Sequence, residues 1–225
     1  MSVAVSVAGL CKGFTRHLLD GRHVEVLRGV SLEVGPGSCT VITGASGSGK
    51  SSLLRCIHGT YRCDAGSIRL RHAGGELEVA AAGPREILAV RRELMALATQ
   101  FLEVIPRIAA VDLVAAAGTG REEAADLLRR LGLARPLLEA PPATFSGGER
   151  QIVNLARSLA TPQPLLLLDE PTASLDHRRR DAALRAVLDR RREGATVIAV
   201  FHDVPTLPGL VDEVVTLRHG ELVAA

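Results

Sequence analysis

The chain has 225 residues, 47% of them hydrophobic but only 2% aromatic, and a formal net charge of +2. That length fits one domain, or one domain with a subdomain, built on a core of Leu, Val, Ala and Ile. The small charge gives no argument for a nucleic-acid partner, and no apolar run approaches the roughly 18 residues needed to span a bilayer. The first residues, Met1-Ser2-Val3-Ala4-Val5, carry no basic region of a secretory signal. Cys11, Cys39, Cys56 and Cys63 show no paired metal spacing and read as reduced thiols, so a cytoplasmic protein is expected.

In chain order, residues 3–10 and 24–34 alternate in hydrophobicity, as in Val24 and Val26 and then Val30, Leu32 and Val34, which predicts strands. Gly35-Pro36-Gly37 is a turn. Residues 38–43 read as a buried strand and Ser52 lies at the start of a helix. Between them stands Gly44-Ala45-Ser46-Gly47-Ser48-Gly49-Lys50-Ser51. This stretch fits G-x-x-x-x-G-K-[ST] at every fixed position. Gly44, Gly47 and Gly49 let the backbone wrap so that its N–H groups converge on phosphate oxygens. Lys50, one of two lysines beside Lys12, can reach the β- and γ-phosphates, and the Ser51 hydroxyl can coordinate Mg2+. The helix N-terminus adds its partial positive charge.

Further on, residues 67–70 and 76–79 predict a hairpin around Gly74-Gly75. Residues 94–99 fit either a strand or an extension of the helical pattern of 85–92. Residues 101–145 are rich in Ala and Leu, helical in spacing over 121–131, and punctuated by Pro141-Pro142, which suggests a helical insertion. From Ser146 onward helix and strand alternate: a helix to Leu159, a strand at 165–168, a helix at 175–192, and strands at 196–200 and 213–217. Apolar strands alternating with helices predict an α/β fold with a mostly parallel sheet covered on both faces.

The strand at 165–168 runs into Asp169-Glu170. Carboxylates at the C-terminal end of a strand sit where open α/β sheets bind ligands. Asp169 is suited to hold Mg2+ and Glu170 to orient and deprotonate a water. Ser146-Gly147-Gly148-Glu149 opens the next helix as a second glycine-rich anion site. The four Phe residues, Phe14, Phe101, Phe145 and Phe201, each fall at or beside one of these motifs. Packing around a nucleotide and ordinary core burial both account for the last three.

Phosphate loop, Ser-Gly-Gly-Glu segment and Leu-Leu-Asp-Glu-Pro, in this order, resemble the ATP-binding-cassette (ABC) ATPases over essentially the whole chain. The resemblance implies a P-loop NTPase of the ABC type with an antiparallel N-terminal β part. Residues 1–225 would form one ATP-binding domain, with a helical subdomain at roughly 101–160. It implies ATP and Mg2+ as cofactors and hydrolysis of ATP to ADP and phosphate. Gln100 resembles the family's Q-loop glutamine and joins Ser51 and Asp169 around Mg2+. Phe14 lies where the family places an aromatic ring under adenine, 174–176 resembles its D-loop with Asp176, and His202 resembles its switch histidine. Two cassettes would close head to tail, so that ATP on 44–51 of one meets 146–149 of the other.

A narrower resemblance is carried by residues 99–108, 140–149 and 201–203. They look like the L-subunit family of the bacterial phosphonate carbon–phosphorus (C–P) lyase system. It implies support for forming ribose 1-phosphonate 5-triphosphate, with a companion ABC subunit and the lyase core as partners. The ATPase of an exporter or lipoprotein-releasing complex, whose cassettes share the Ser-Gly-Gly-Glu variant, is a second reading. A nucleotide-dependent clamp with little turnover is a third. Two departures from the family pattern stand out: Glu149 replaces the usual Gln, and Ile152 stands where many members carry Arg, with Arg150 two residues earlier.

Overall fold

The computed structural model describes residues 2–16, 22–99 and 107–224. In chain order they form β1 (Ala4–Arg16), β2 (Arg22–Val34), β3 (Cys39–Thr43), α1 (Lys50–Ile57), β4 (Ala65–His72), β5 (Gly75–Glu78), α2 (Pro84–Glu93) and β6 (Met95–Ala98). There follow α3 (Ala110–Ala115), α4 (Arg121–Arg130), α5 (Gly147–Leu159), β7 (Leu165–Asp169), α6 (His177–Arg192), β8 (Thr196–Val200), β9 (Glu213–Arg218) and β10 (Glu221–Ala224).

The strands build two sheets. One has the order β2-β1-β4-β5 and is antiparallel throughout. The other has the order β10-β9-β3-β8-β7-β6, parallel except for the terminal β9–β10 pair. β7 and β8 are buried at every residue, as expected for strands covered on both faces. Alternate side chains divide between two cores. Leu166 and Leu168 of β7 point into one core with Val153 and Leu155 of α5 and Leu184 of α6. Leu165 and Leu167 point into the other with Leu53 and Leu54 of α1 and Val5 and Val7 of the antiparallel sheet. The period-2 pleat thus packs one strand against helices from both halves of the chain.

Residues 94–99, readable from sequence in two ways, are a strand: α2 ends at Glu93, and Met95 pairs in parallel with Leu165 of β7. Phe145 and Phe201 are each 3% exposed and lie in the helix-side core, so burial accounts for both rings. Ile152 is equally a core residue, 1% exposed. Arg150 does not replace the missing arginine in place; its Nε donates to the Phe145 carbonyl at 3.0 Å. Gln100 and 101–106, including Phe101, lie outside the described residues.

Candidate nucleotide site

The phosphate loop runs from the end of β3 to the first turn of α1, and its glycines are required by their surroundings. Gly44 has φ 140° and Gly49 has φ 107°. A Cβ on Gly44 would meet the Leu217 carbonyl of β9 at 2.2 Å, and one on Gly49 the Val26 carbonyl of β2 at 2.8 Å. Only glycine tolerates that combination of left-handed backbone and close approach. Beside the loop opens a cavity of about 760 Å3, lined by 44–48, by Val24 and Val26 of β2, and by the β9–β10 turn.

Lys50 is 8% exposed, and its ammonium donates to the loop's own carbonyls, to Gly44 at 2.8 Å and Ala45 at 2.9 Å. The charge is therefore held inside the curl of the loop. Ser48 Oγ is buried without a hydrogen-bond partner among the described residues. An orphaned hydroxyl, a captive ammonium and a glycine curl at a helix N-terminus together suit a phosphate. Ser51 Oγ donates to Asp169 Oδ1 at 2.9 Å, joining α1 to the end of β7. Burial holds the Asp169 carboxyl above the ordinary carboxylate range, opposed by the Ser51 hydrogen bond and the Arg55 charge. A hydroxyl and a carboxylate oxygen at this separation are the hard oxygen donors that Mg2+ takes.

Glu170 follows with φ 50°, a left-handed conformation unusual for a residue with a side chain. Both backbone groups are secured: its N–H donates to the Val200 carbonyl at 3.1 Å, and its carbonyl accepts from Gln151 Nε2 at 3.2 Å. Glu170, Asp176 and His202 line one cavity of about 420 Å3. The His202 side chain is 91% exposed, with Nδ1 3.4 Å from Asp203 Oδ1. Asp176 caps α6, its Oδ1 accepting from the Arg179 N–H at 2.9 Å.

Residues 146–149 line neither cavity. They cap α5 reciprocally: Ser146 Oγ accepts from the Glu149 N–H at 3.3 Å, and Glu149 Oε2 accepts from the Ser146 N–H at 2.8 Å. The Ser146 N–H, and the Ser146 hydroxyl that donates to the same Oε2 at 2.8 Å, hold the Glu149 carboxyl below its ordinary range. Gly148 lies against the residues before α6; a Cβ there would be 2.8 Å from the Ser174 carbonyl. Phe14 is not among the residues lining the phosphate-loop cavity. Its ring packs edge-on against Tyr61, centroids 5.1 Å apart, with Lys12 Nζ 5.1 Å from its face. Gln151 went unnoticed in the sequence. It is 4% exposed, and Asn154 and Ser158 of the same helix are also buried polar residues, so nothing in the letters singled it out.

The family model described as "ABC transporter" matches residues 27–173. The chain is 37% identical over 216 residues to the lipoprotein-releasing system ATP-binding protein LolD of Maricaulis maris, covering 92% of this chain and 91% of that protein. It is 36% identical over 201 residues to the aliphatic sulfonates import ATP-binding protein SsuB 2 of Xanthomonas axonopodis pv. citri, covering 88% of this chain and 64% of that protein. In fold it resembles an ATP-binding cassette solved as a dimer in a post-hydrolysis state with ADP and Pi. The TM-score is 0.84 and the identity 24%, over 97% of this chain and 96% of that one. The matched model includes the phosphate loop, the signature segment Ser146–Glu149 and Asp169-Glu170, and the fold extends the likeness over the rest: the chain belongs to the ABC transporter family, as one of its ATPase domains, for which ATP and Mg2+ are the implied cofactors.

Proposed function

We propose that this chain is the ATP-hydrolysing subunit of a bacterial ABC transporter of the lipoprotein-releasing type, acting as one of two cassettes on a separate membrane permease. The observation that carries this reading is extent. The lipoprotein-releasing ATP-binding protein is matched over 91% of its own length. Among the described residues no helix is long and apolar enough to cross a membrane.

In this reading the amides and hydroxyls of Gly44, Ala45, Ser46, Gly47, Ser48, Gly49, Ser51 and Ser52 surround the phosphates, and Lys50 turns from its loop carbonyls to the β- and γ-oxygens. Ser51 and Asp169, with Gln100, hold Mg2+, which when bound neutralises part of the phosphate charge. Glu170 orients a water and takes its proton, while His202, exposed across the same cavity, meets the γ-phosphate. Phe14 carries the adenine. Ser146, Gly147, Gly148 and Glu149 complete the site of a second cassette, consistent with their lining neither cavity of their own chain, and Asp176 lies at the same junction. Such a site works by positioning and electrostatics.

A second reading, the C–P lyase accessory ATPase with the lyase core as partner, rests on the resemblance of residues 99–108, 140–149 and 201–203, of which 100–106 lie outside the described residues. Copurification of the tagged full chain from its own host, with and without ATP, separates the two. Recovery of an integral membrane permease is expected. Recovery of phosphonate-lyase subunits and no permease would overturn the transporter reading.

A further inference from the structure

Taking Glu170 as the base of the proposed hydrolysis, on which this rests, we propose that Gln151 is a positioning residue for the same reaction. Its buried amide holds the Glu170 backbone in the left-handed conformation that sets where the carboxylate stands. Gln151 lies in the second turn of α5 and is buried. Its neighbours on that helix, Ile152, Val153 and Leu155, belong to the helix-side core. A buried amide costs stability unless it is hydrogen-bonded, and an apolar side chain of the same size would fill the place without that cost. What the amide adds is direction: Nε2 donates to the Glu170 carbonyl at 3.2 Å.

A second amide on the same helix repeats the arrangement. Asn154, three residues on and also buried, donates through Nδ2 to the Thr99 carbonyl. Residues three apart are neighbours on a helix surface, and the two acceptors are neighbours as well. Thr99 follows Ala98, the last residue of β6, and Glu170 follows Asp169, the last of β7. The two strands run in parallel side by side, with Ala98 opposite Leu168. α5 thus bridges the C-terminal ends of adjacent strands, where open α/β sheets bind ligands. The Asn154 bond fixes how α5 lies over those ends, and so fixes the reach of Gln151.

Glu170 needs such a hold. Its φ of 50° is uncommon for a residue with a side chain, and the peptide groups on either side decide which way its Cα–Cβ bond points. The N–H is tied to the Val200 carbonyl of β8 at 3.1 Å, and the carbonyl also accepts from the Ala173 N–H at 3.3 Å. Ala173 belongs to the turn that follows Glu170 and moves with it, whereas Gln151 belongs to a helix packed into the core. The amide therefore anchors the turn from outside. Without it the carbonyl tilts, and the carboxylate shifts in the cavity that Glu170 lines with Asp176 and His202. A misplacement of about 1 Å at a reacting group is enough to cost much of the rate.

Gln151→Met keeps the length of the side chain and removes the donor, and Gln151→Leu removes it with different packing. Phosphate release and ATP affinity are measured on the purified full chain for both, for Glu170→Gln, and for Glu170→Gln combined with Gln151→Met. Turnover should fall about 10-fold or more in the two Gln151 variants. KM and ATP affinity should stay within about 2-fold of wild type, as for a group that acts on the chemical step alone. Because Gln151 works through Glu170, adding Gln151→Met to Glu170→Gln should lower the residual rate no further. Wild-type turnover in Gln151→Met beside a slow Glu170→Gln would overturn the proposal and leave Glu170 as the base. A further loss of about 10-fold in the double variant would overturn it too, as would loss of ATP binding along with turnover, which marks a structural residue. Unchanged turnover in Glu170→Gln itself would overturn the role of Glu170, and that of Gln151 with it.

Discussion

Glu170 occupies a position prepared for it. A left-handed backbone at a side-chain-bearing residue costs about 1–3 kcal/mol, and here the Val200 and Gln151 hydrogen bonds hold it in place at the rim of the cavity that His202 shares. Glu170→Gln preserves shape and removes the proposed base. We expect ATP binding to be retained and turnover to fall by about 100-fold or more, in a phosphate-release assay beside a nucleotide titration. Unchanged turnover would remove Glu170 from its role, and an equally slow wild type would favour a clamp. A second residue sets a pH dependence away from the site. Burial, then the Arg91 charge, push His58 from 6.5 down to about 4. The unfolded chain therefore binds a proton that the folded ring resists. Stability is full above about pH 6.5 and falls as pH drops toward 4. With a partly exposed ring, the loss is roughly 2 kcal/mol. Denaturant midpoints against pH should flatten over that window in His58→Gln.

The elements whose identity was legible are those with a long period or a strict spacing. The phosphate loop was explicit because its function demands fixed residues, and α6 because a helix of 16 residues shows its repeat. β6 was ambiguous for a physical reason: four apolar residues are compatible with either period, and only pairing with β7 makes them a strand. β10, a four-residue edge strand, went unread. It exists through the His219-Gly220 turn, both residues left-handed, which folds it back on β9. At α5 the Ser146–Glu149 box secures a helix whose inner face is core. Ser146→Ala should cost about 1 kcal/mol, read from urea unfolding of the nucleotide-free chain, since it removes the acceptor for the Glu149 N–H. A loss below the error of the measurement would show that the cap is supplied otherwise.

At the scale of the whole molecule, residues 146–149 line neither cavity of their own chain. Gly147 has open space where a Cβ would be, so Gly147→Asp fits the isolated chain, and a negative charge at the start of α5 favours the helix. In a two-cassette assembly the same charge would face the phosphates bound by the partner. We expect Glu170→Gln with ATP to sediment as a dimer. Adding Gly147→Asp should keep the protein monomeric while each chain still binds nucleotide. Dimerisation of the double variant to the same extent would place the signature segment outside the interface.

The sequence by itself determined which residues carry the proposed site chemistry, because phosphate and Mg2+ accept few residue types at few spacings: Gly44 to Ser51, Asp169 and Glu170 were all readable as letters. It also determined the family, through the order of three motifs. Only the tertiary structure decided that Lys50 is held by its own loop, that Gln151 supports Glu170, and that Phe14 rests on Tyr61. The last two are contacts between residues far apart in the chain, and the first depends on how the loop curls. Packing, rather than any local pattern, brings them together.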